Sequence, residues 1–149
     1  MNYFGVQSCA AAYRHYGGQN ACPYGCLGYG DCKDICPSNA ICMQDGIARI
    51  ITSKCTGCNL CVKICPSKLI TLECASVPVI IACNSIEKGA VVRKKCSVGC
   101  IACTKCVKEC PDAAITMVNN LAVIDYGKCS GCGKCVDVCI TKSIRFVKG

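Results

Sequence analysis

Apolar positions along this chain come in short bursts separated by cysteine-rich, glycine-rich loops. The longest unbroken apolar run, Val77 to Cys83, is seven residues and contains Pro78. A bilayer span needs about 18, so no segment here predicts a membrane helix. The bursts predict strands instead. Ala40–Met43 and Ile47–Ile51 flank Asp45-Gly46, a strong hairpin turn, and Ile115–Val118 and Leu121–Ile124 flank Asn119-Asn120. Closing strands are predicted over Leu69–Leu72 and Ile144–Val147, and opening strands over Tyr3–Gln7 and Val79–Ala82. An opening strand paired antiparallel with a closing one would tie together the ends of each half. Glu73–Pro78 then reads as a linker, because Pro78 suits an edge or a connection and not a central strand.

The same order occurs twice: extended segment, cysteine loop, brief helix, hairpin, second cysteine loop, second brief helix, final strand. A shift of 74 residues places Cys9, Cys22, Cys26, Cys32, Cys36, Cys55, Cys58, Cys61 and Cys65 on Cys83, Cys96, Cys100, Cys106, Cys110, Cys129, Cys132, Cys135 and Cys139. The repeat predicts two modules, 1–74 and 75–149. Each is small enough for a hydrophobic core alone to be marginal, so a staple is expected.

Cysteine supplies that staple, at 21 of 149 residues. A secreted disulfide scaffold predicts a signal peptide and an even count. The count is odd, and Met1-Asn2-Tyr3-Phe4-Gly5 has neither a charged nor an apolar leader region. Zinc favours isolated C-x2-C pairs a dozen or more residues apart. The spacing found is different. Cys55, Cys58, Cys61 and Cys65, and likewise Cys129, Cys132, Cys135 and Cys139, form C-x2-C-x2-C-x3-C runs. In such runs three cysteines hold one iron–sulfur cluster and the fourth holds its neighbour. Two-residue spacers let one loop wrap three corners of a cubane, and the next cysteine, a helical turn on, faces away.

Cross-ligation of this kind predicts four [4Fe-4S] clusters. Cluster 1 takes Cys22, Cys26, Cys32 and Cys65, since no cysteine lies between Cys26 and Cys32. Cluster 2 takes Cys36, Cys55, Cys58 and Cys61. Cluster 4 takes Cys110, Cys129, Cys132 and Cys135. Cluster 3 has two candidate sets. The repeat points to Cys96, Cys100 and Cys106, whereas regular spacing points to Cys100, Cys103 and Cys106. The regular set needs no widened loop and is preferred, with Cys139 completing it and Cys96 as the alternative to Cys103. Cys103 aligns with Tyr29, so the first module has no cysteine there. Pro37, Pro66 and Pro111 follow three of the cross-ligating cysteines, and Ile140 follows the fourth. The change at Ile140 is expected either to alter a local N–H contact or only to cap the helix differently.

Cys42 and Cys74 have no repeat partner and read as buried free thiols. Cys9 and Cys83 are repeated without an assigned role, and packing is the expectation for both. His15, the only histidine, reads as a surface-loop residue. Gly28 and Gly30 resemble a phosphate loop, but no strand–GxGxxG–helix unit surrounds them, and close cluster packing also calls for glycine. No paired carboxylates or nucleophile–base pair stands out, so no catalytic residues are assigned.

The net charge of +8 invites a nucleic-acid reading. Each oxidised cluster with its four thiolates carries about −2, so four bring the loaded chain near neutrality. The few Tyr and Phe form no stacking ladder, and nucleic acid is not an expected partner. The first module has six Lys and Arg against four acids, and the second has eleven against five. Arg93, Lys94, Lys95, Lys105 and Lys108 therefore mark a candidate dock for an acidic redox protein.

Three stretches carry a family resemblance. They are Cys22-Pro-Tyr-Gly-Cys-Leu-Gly-Tyr-Gly-Asp-Cys32, Lys88-Gly-Ala-Val-Val-Arg-Lys-Lys-Cys-Ser-Val-Gly-Cys-Ile-Ala-Cys103, and Asn119-Asn-Leu-Ala-Val-Ile-Asp-Tyr-Gly-Lys-Cys129. From about Gly5 onward the chain resembles the B subunit of the Rnf complex, an ion-translocating ferredoxin:NAD⁺ oxidoreductase. It resembles the polyferredoxin portion, without the membrane helix and first cluster domain that usually precede it. The resemblance implies a cytoplasmic electron-relay subunit, at the membrane face through its partners, with reduced ferredoxin as donor and membrane subunits as acceptors. A free-standing soluble polyferredoxin, or a relay subunit of another redox enzyme, is the alternative. The expected fold is α+β, two tandem ferredoxin-like 2[4Fe-4S] modules.

Overall fold

A computed structural model describes residues 6–16, 22–73 and 77–147. The chain divides into two compact units, the first ending at Leu72 and the second running from Glu73 to Val147.

In the first unit α1 (Cys9–Tyr16) is followed by α2 (Asp31–Asp34), the hairpin β1 (Ile41–Gln44) and β2 (Ile47–Ile50), a 3₁₀ turn over Thr52–Lys54, and α3 (Leu60–Ile64). β1 and β2 pair antiparallel with Ile41 opposite Ile50 and Gln44 opposite Ile47. Asp45 (φ 52°) and Gly46 (φ 73°) are both left-handed, the two-residue turn whose twist matches its flanking strands. The Ile51 N–H adds a rung to the Ala40 carbonyl at 2.7 Å.

The second unit contains β3 (Val79–Ile81), α4 (Gly89–Lys95), α5 (Lys105–Glu109), the hairpin β4 (Ile115–Val118) and β5 (Leu121–Ile124), α6 (Lys134–Val138) and β6 (Ile144–Phe146). β3 and β6 pair antiparallel through Val79–Phe146 and Ile81–Ile144, as expected of opening and closing strands. The core gathers Val79, Ile115, Ala122, Ile124 and Ile144 around the sulfurs of Cys106 and Cys135. Val79 is wholly buried. Full burial of such a side chain contributes about 1.5–3 kcal/mol.

The first unit departs from this plan. Leu69–Leu72 forms no ladder, and Val6 and Gln7 are not in a strand; Tyr3, Phe4 and Gly5 lie outside the described residues. A strand forms only where its N–H and C=O groups find a partner. Here Ser8 already donates to Val6 at 2.9 Å, and helix begins at Cys9. His15 accordingly sits in α1 and not in a loop. Neither α1 nor α4 is foreshadowed by the apolar pattern; α1 is anchored by Cys9 and Ala12 and α4 by Val92, all buried. Cys42, expected to be buried, is exposed on β1. Cys74, within the expected linker, is outside the described residues.

Candidate metal centre

Four loops share one backbone signature, two left-handed residues flanking a single position. Gly57 (φ 70°) and Asn59 (φ 67°) flank Cys58, Ala102 (φ 54°) and Thr104 (φ 62°) flank Cys103, and Gly131 (φ 75°) and Gly133 (φ 79°) flank Cys132. Gly28 (φ 81°) and Gly30 (φ 87°) flank Tyr29. Right-handed residues alternating with left-handed ones turn successive N–H groups into one concavity, the nest found at phosphate and iron–sulfur sites. Each loop then enters a short helix, respectively α3, α5, α6 and α2, which carries the third cysteine: Cys61, Cys106, Cys135 and Cys32. The Gly28–Gly30 segment is thus a fourth copy of this loop, with tyrosine in the middle position.

In the first unit Cys36, Cys55, Cys58 and Cys61 line one cavity, floored by Ile41, Ile50 and Ile70. Cys36 reaches it from beyond α2, the other three from the second loop. In the second unit Cys100, Cys103, Cys106 and Cys139 line another, with Met117, Ala122 and Ile144. Cys96 is not among its lining residues. It caps the C-terminus of α4, and its N–H bonds the Val92 carbonyl at 2.8 Å.

The thiols act on one another's ionisation. Burial, then Cys100, Cys103 and Cys139, push Cys106 up to about 11. Burial, then Cys129, Cys132 and Cys110, raise Cys135. Burial raises Cys61, with smaller contributions from Cys55 and Cys58. Burial, then Cys26 and Cys9, push Cys32 up to about 11. Of the helix-borne cysteines Cys32, Cys106 and Cys135 are buried and Cys61 is half-buried, while the middle cysteines Cys58, Cys103 and Cys132 are exposed.

The fourth cysteine of each run ends a helix and starts a common turn. The N–H of Asn39, Lys68, Ala113 and Lys142 bonds the carbonyl of Cys36, Cys65, Cys110 and Cys139 at 3.2–3.3 Å. Each of those four donors is left-handed. Ile140 supports the same turn as its proline counterparts, so proline favours this turn without being required for it. Ala40 and Ala114 N–H groups point at the Cys36 and Cys110 sulfurs, both at 3.4 Å. Ser38 shares a hydrogen bond with Cys36 Sγ at 3.5 Å. Such donors stabilise thiolate charge and tune a bound cluster.

Every described cysteine is a free thiol. Among the described residues no three His, Cys, Asp or Glu groups lie close enough to hold one ion. A cubane, whose four irons stand apart, does not require that. Thiols spread around apolar cavities, with N–H groups facing the Cys36 and Cys110 sulfurs, fit a polynuclear cluster.

Residues 99–143 match the 4Fe-4S dicluster domain family, and residues 48–71 match the 4Fe-4S binding domain family. This chain carries ferredoxin-type 4Fe-4S domains. It is 46% identical over 138 residues to the B subunit of the Na⁺-translocating ferredoxin:NAD⁺ oxidoreductase complex of Acetobacterium woodii, covering 92% of this chain and 41% of that one. It is 44% identical over 150 residues to the B subunit of the proton-translocating ferredoxin:NAD⁺ oxidoreductase complex of Clostridium ljungdahlii, covering 99% of this chain and 53% of that one. The B subunit of the ion-translocating oxidoreductase complex of Methanosarcina acetivorans is 41% identical over 146 residues, 97% of this chain and 55% of its own. The similarity to Rnf-type B subunits seen in the three sequence stretches therefore extends over most of the chain. The chain spans about half the length of these curated relatives. Among the described residues no helix is long and apolar enough to cross a membrane.

Proposed function

We propose that this 4Fe-4S ferredoxin-type chain relays electrons through four [4Fe-4S] clusters. The observation that carries the reading is the convergence of Cys36 with Cys55, Cys58 and Cys61 on one apolar cavity. Thiols separated by a hairpin meet there as cross-ligation requires. Cys100, Cys103, Cys106 and Cys139 would hold a second cluster, with Cys103 and not Cys96 as the loop ligand. Cys110, Cys129, Cys132 and Cys135 would hold a third. Cys26, Cys32 and Cys65 would hold the remaining one with a further thiol.

Bound clusters supply one-electron transfer. The chain's own residues hold the charge and set where it is exchanged. Ile41, Ile50 and Ile70 in one cavity and Met117 and Ile144 in the other give the thiols an apolar wall. The exposed Cys58, Cys103 and Cys132 leave one edge of each site at the surface, where a redox partner can approach.

The partners we propose are reduced ferredoxin as donor and the other subunits of an ion-translocating ferredoxin:NAD⁺ oxidoreductase as acceptors, on the cytoplasmic face. Similarity to three B subunits supports this. Arg93, Lys94 and Lys95 occupy the last turn of α4, and all three are exposed. Lys95 is ion-paired with Glu87 at 2.7 Å, which leaves Arg93 and Lys94 as the freer charges for an acidic donor.

Metal analysis tests the reading. About sixteen irons per chain with equal sulfide, and broad visible absorbance that bleaches on reduction, are expected. Zinc with no visible absorbance would overturn it. Reversing Arg93 and Lys94 to Glu should slow reduction by ferredoxin and flatten its salt dependence. Co-purification with membrane subunits separates the Rnf-type role from a free polyferredoxin.

A further inference from the structure

The Gly28–Tyr29–Gly30 loop has the backbone of a three-cysteine loop and one thiol too few. In the other three loops the flanked position is Cys58, Cys103 or Cys132; here it is Tyr29. A four-thiolate site needs that sulfur from elsewhere.

Cys9 is positioned to supply it. It is the first residue of α1 and only 8% exposed. Its N–H bonds Asp31 Oδ1 at 2.9 Å, while Asp31 Oδ2 takes the Ala10 N–H and the Ser8 hydroxyl, both at 3.2 Å. Asp31 immediately precedes Cys32 in the chain, so this carboxylate fastens the start of α1 beside the start of α2.

The 74-residue register conceals this. Cys83, the sequence counterpart of Cys9, lies in coil after β3 and before α4. The counterpart of Asp31 is Lys105, which cannot accept an N–H. The arrangement around Cys9 therefore exists in the first unit alone, the unit whose loop lacks the middle cysteine.

Resting on the cluster reading above, we propose that Cys9 is an iron ligand. It closes the first site of unit one with Cys26, Cys32 and Cys65, in place of the sulfur that Tyr29 lacks, and Cys22 stays outside. Cys9 would bind as the thiolate, releasing its proton to solvent.

The test measures iron, sulfide and reduced-state electron paramagnetic resonance on the full chain. The variants are Cys9→Ser, Cys22→Ser, Cys83→Ser and the double variant Cys9→Ser/Tyr29→Cys. Cys9→Ser is expected to lose about four irons and one cluster's signal, with the other clusters intact as the check on folding. Tyr29→Cys should restore both in the double variant. Cys22→Ser and Cys83→Ser should match the parent. Full loading of Cys9→Ser, loss not restored by Tyr29→Cys, or any cluster loss in Cys22→Ser overturns the proposal. A parent chain without iron would instead overturn the cluster reading itself.

Discussion

Ser143 donates its hydroxyl to the carbonyl of Val98 at 2.6 Å, across 45 residues of sequence. Ser143 is 1% exposed and also shares a hydrogen bond with Thr141 at 2.9 Å, which in turn lies 3.9 Å from Cys139 Sγ. A polar chain thus ties the turn after Cys139 to the loop before Cys100. Ser143→Ala leaves the Val98 carbonyl without this donor. A loss of about 1–3 kcal/mol is expected, read as a lower denaturant midpoint with an unchanged slope. Unchanged stability would show that water replaces the bond.

Gly28 separates two kinds of loop glycine. A Cβ there would stand 2.6 Å from the Gly46 carbonyl oxygen, which is backbone and cannot swing aside, and its φ is 81°. Gly28→Ala should destabilise the first unit by at least about 1 kcal/mol. Asn59 occupies the same left-handed class at φ 67°, so Asn59→Gly should stay within about 0.5 kcal/mol of the parent. Comparing the two melting curves checks this, and equal effects would refute it.

In the proposed ligation Ser38 bears on the potential of one cluster only. Bound to iron, Cys36 would be a thiolate able only to accept, and the Ser38 hydroxyl would donate to it. This donor favours the more negative, reduced state. Ser38→Ala should lower that cluster's potential by on the order of 40 mV, the equivalent of about 1 kcal/mol for one electron. A redox titration followed by electron paramagnetic resonance measures it. A rise, or an equal shift in every cluster, would contradict the assignment of Cys36.

The cluster-free chain should be sensitive to alkali. Burial, then neighbouring thiols, hold Cys32 and Cys106 at about 11 against an ordinary 9.0. Above pH 9 the unfolded chain ionises these thiols while the folded chain keeps them neutral. Folded stability therefore falls as pH rises from about 9 to about 11. In a cluster-loaded chain the same sulfurs would be metal-bound thiolates, and the slope should vanish. Melting temperature against pH, with and without iron, reads both.

The two hairpins were legible because a turn dipeptide that tolerates positive φ sits between alternating apolar residues, and these signals are local. Regular cysteine spacing likewise announced clusters, since a loop must bring three sulfurs to one cubane within a few residues. What spacing could not reveal was anything set by a distant partner. Leu69–Leu72 has the apolar character of Ile144–Val147, yet among the described residues only Ile144–Phe146 finds a partner strand, Val79–Ile81. Cys96 and Cys103 are equally good donors by composition; only packing places Cys103 on the cavity wall and Cys96 at a helix end. Cys9 and Cys83 match in sequence and differ in setting, because Asp31 draws the start of α1 onto Cys32 and Lys105 has no acceptor to offer. The chemistry, thiols at cluster spacing in two repeated modules, follows from the order of residues alone. Which thiols meet is a matter of tertiary packing, because a sulfur 20 residues away becomes a neighbour only through contacts that no spacing rule contains.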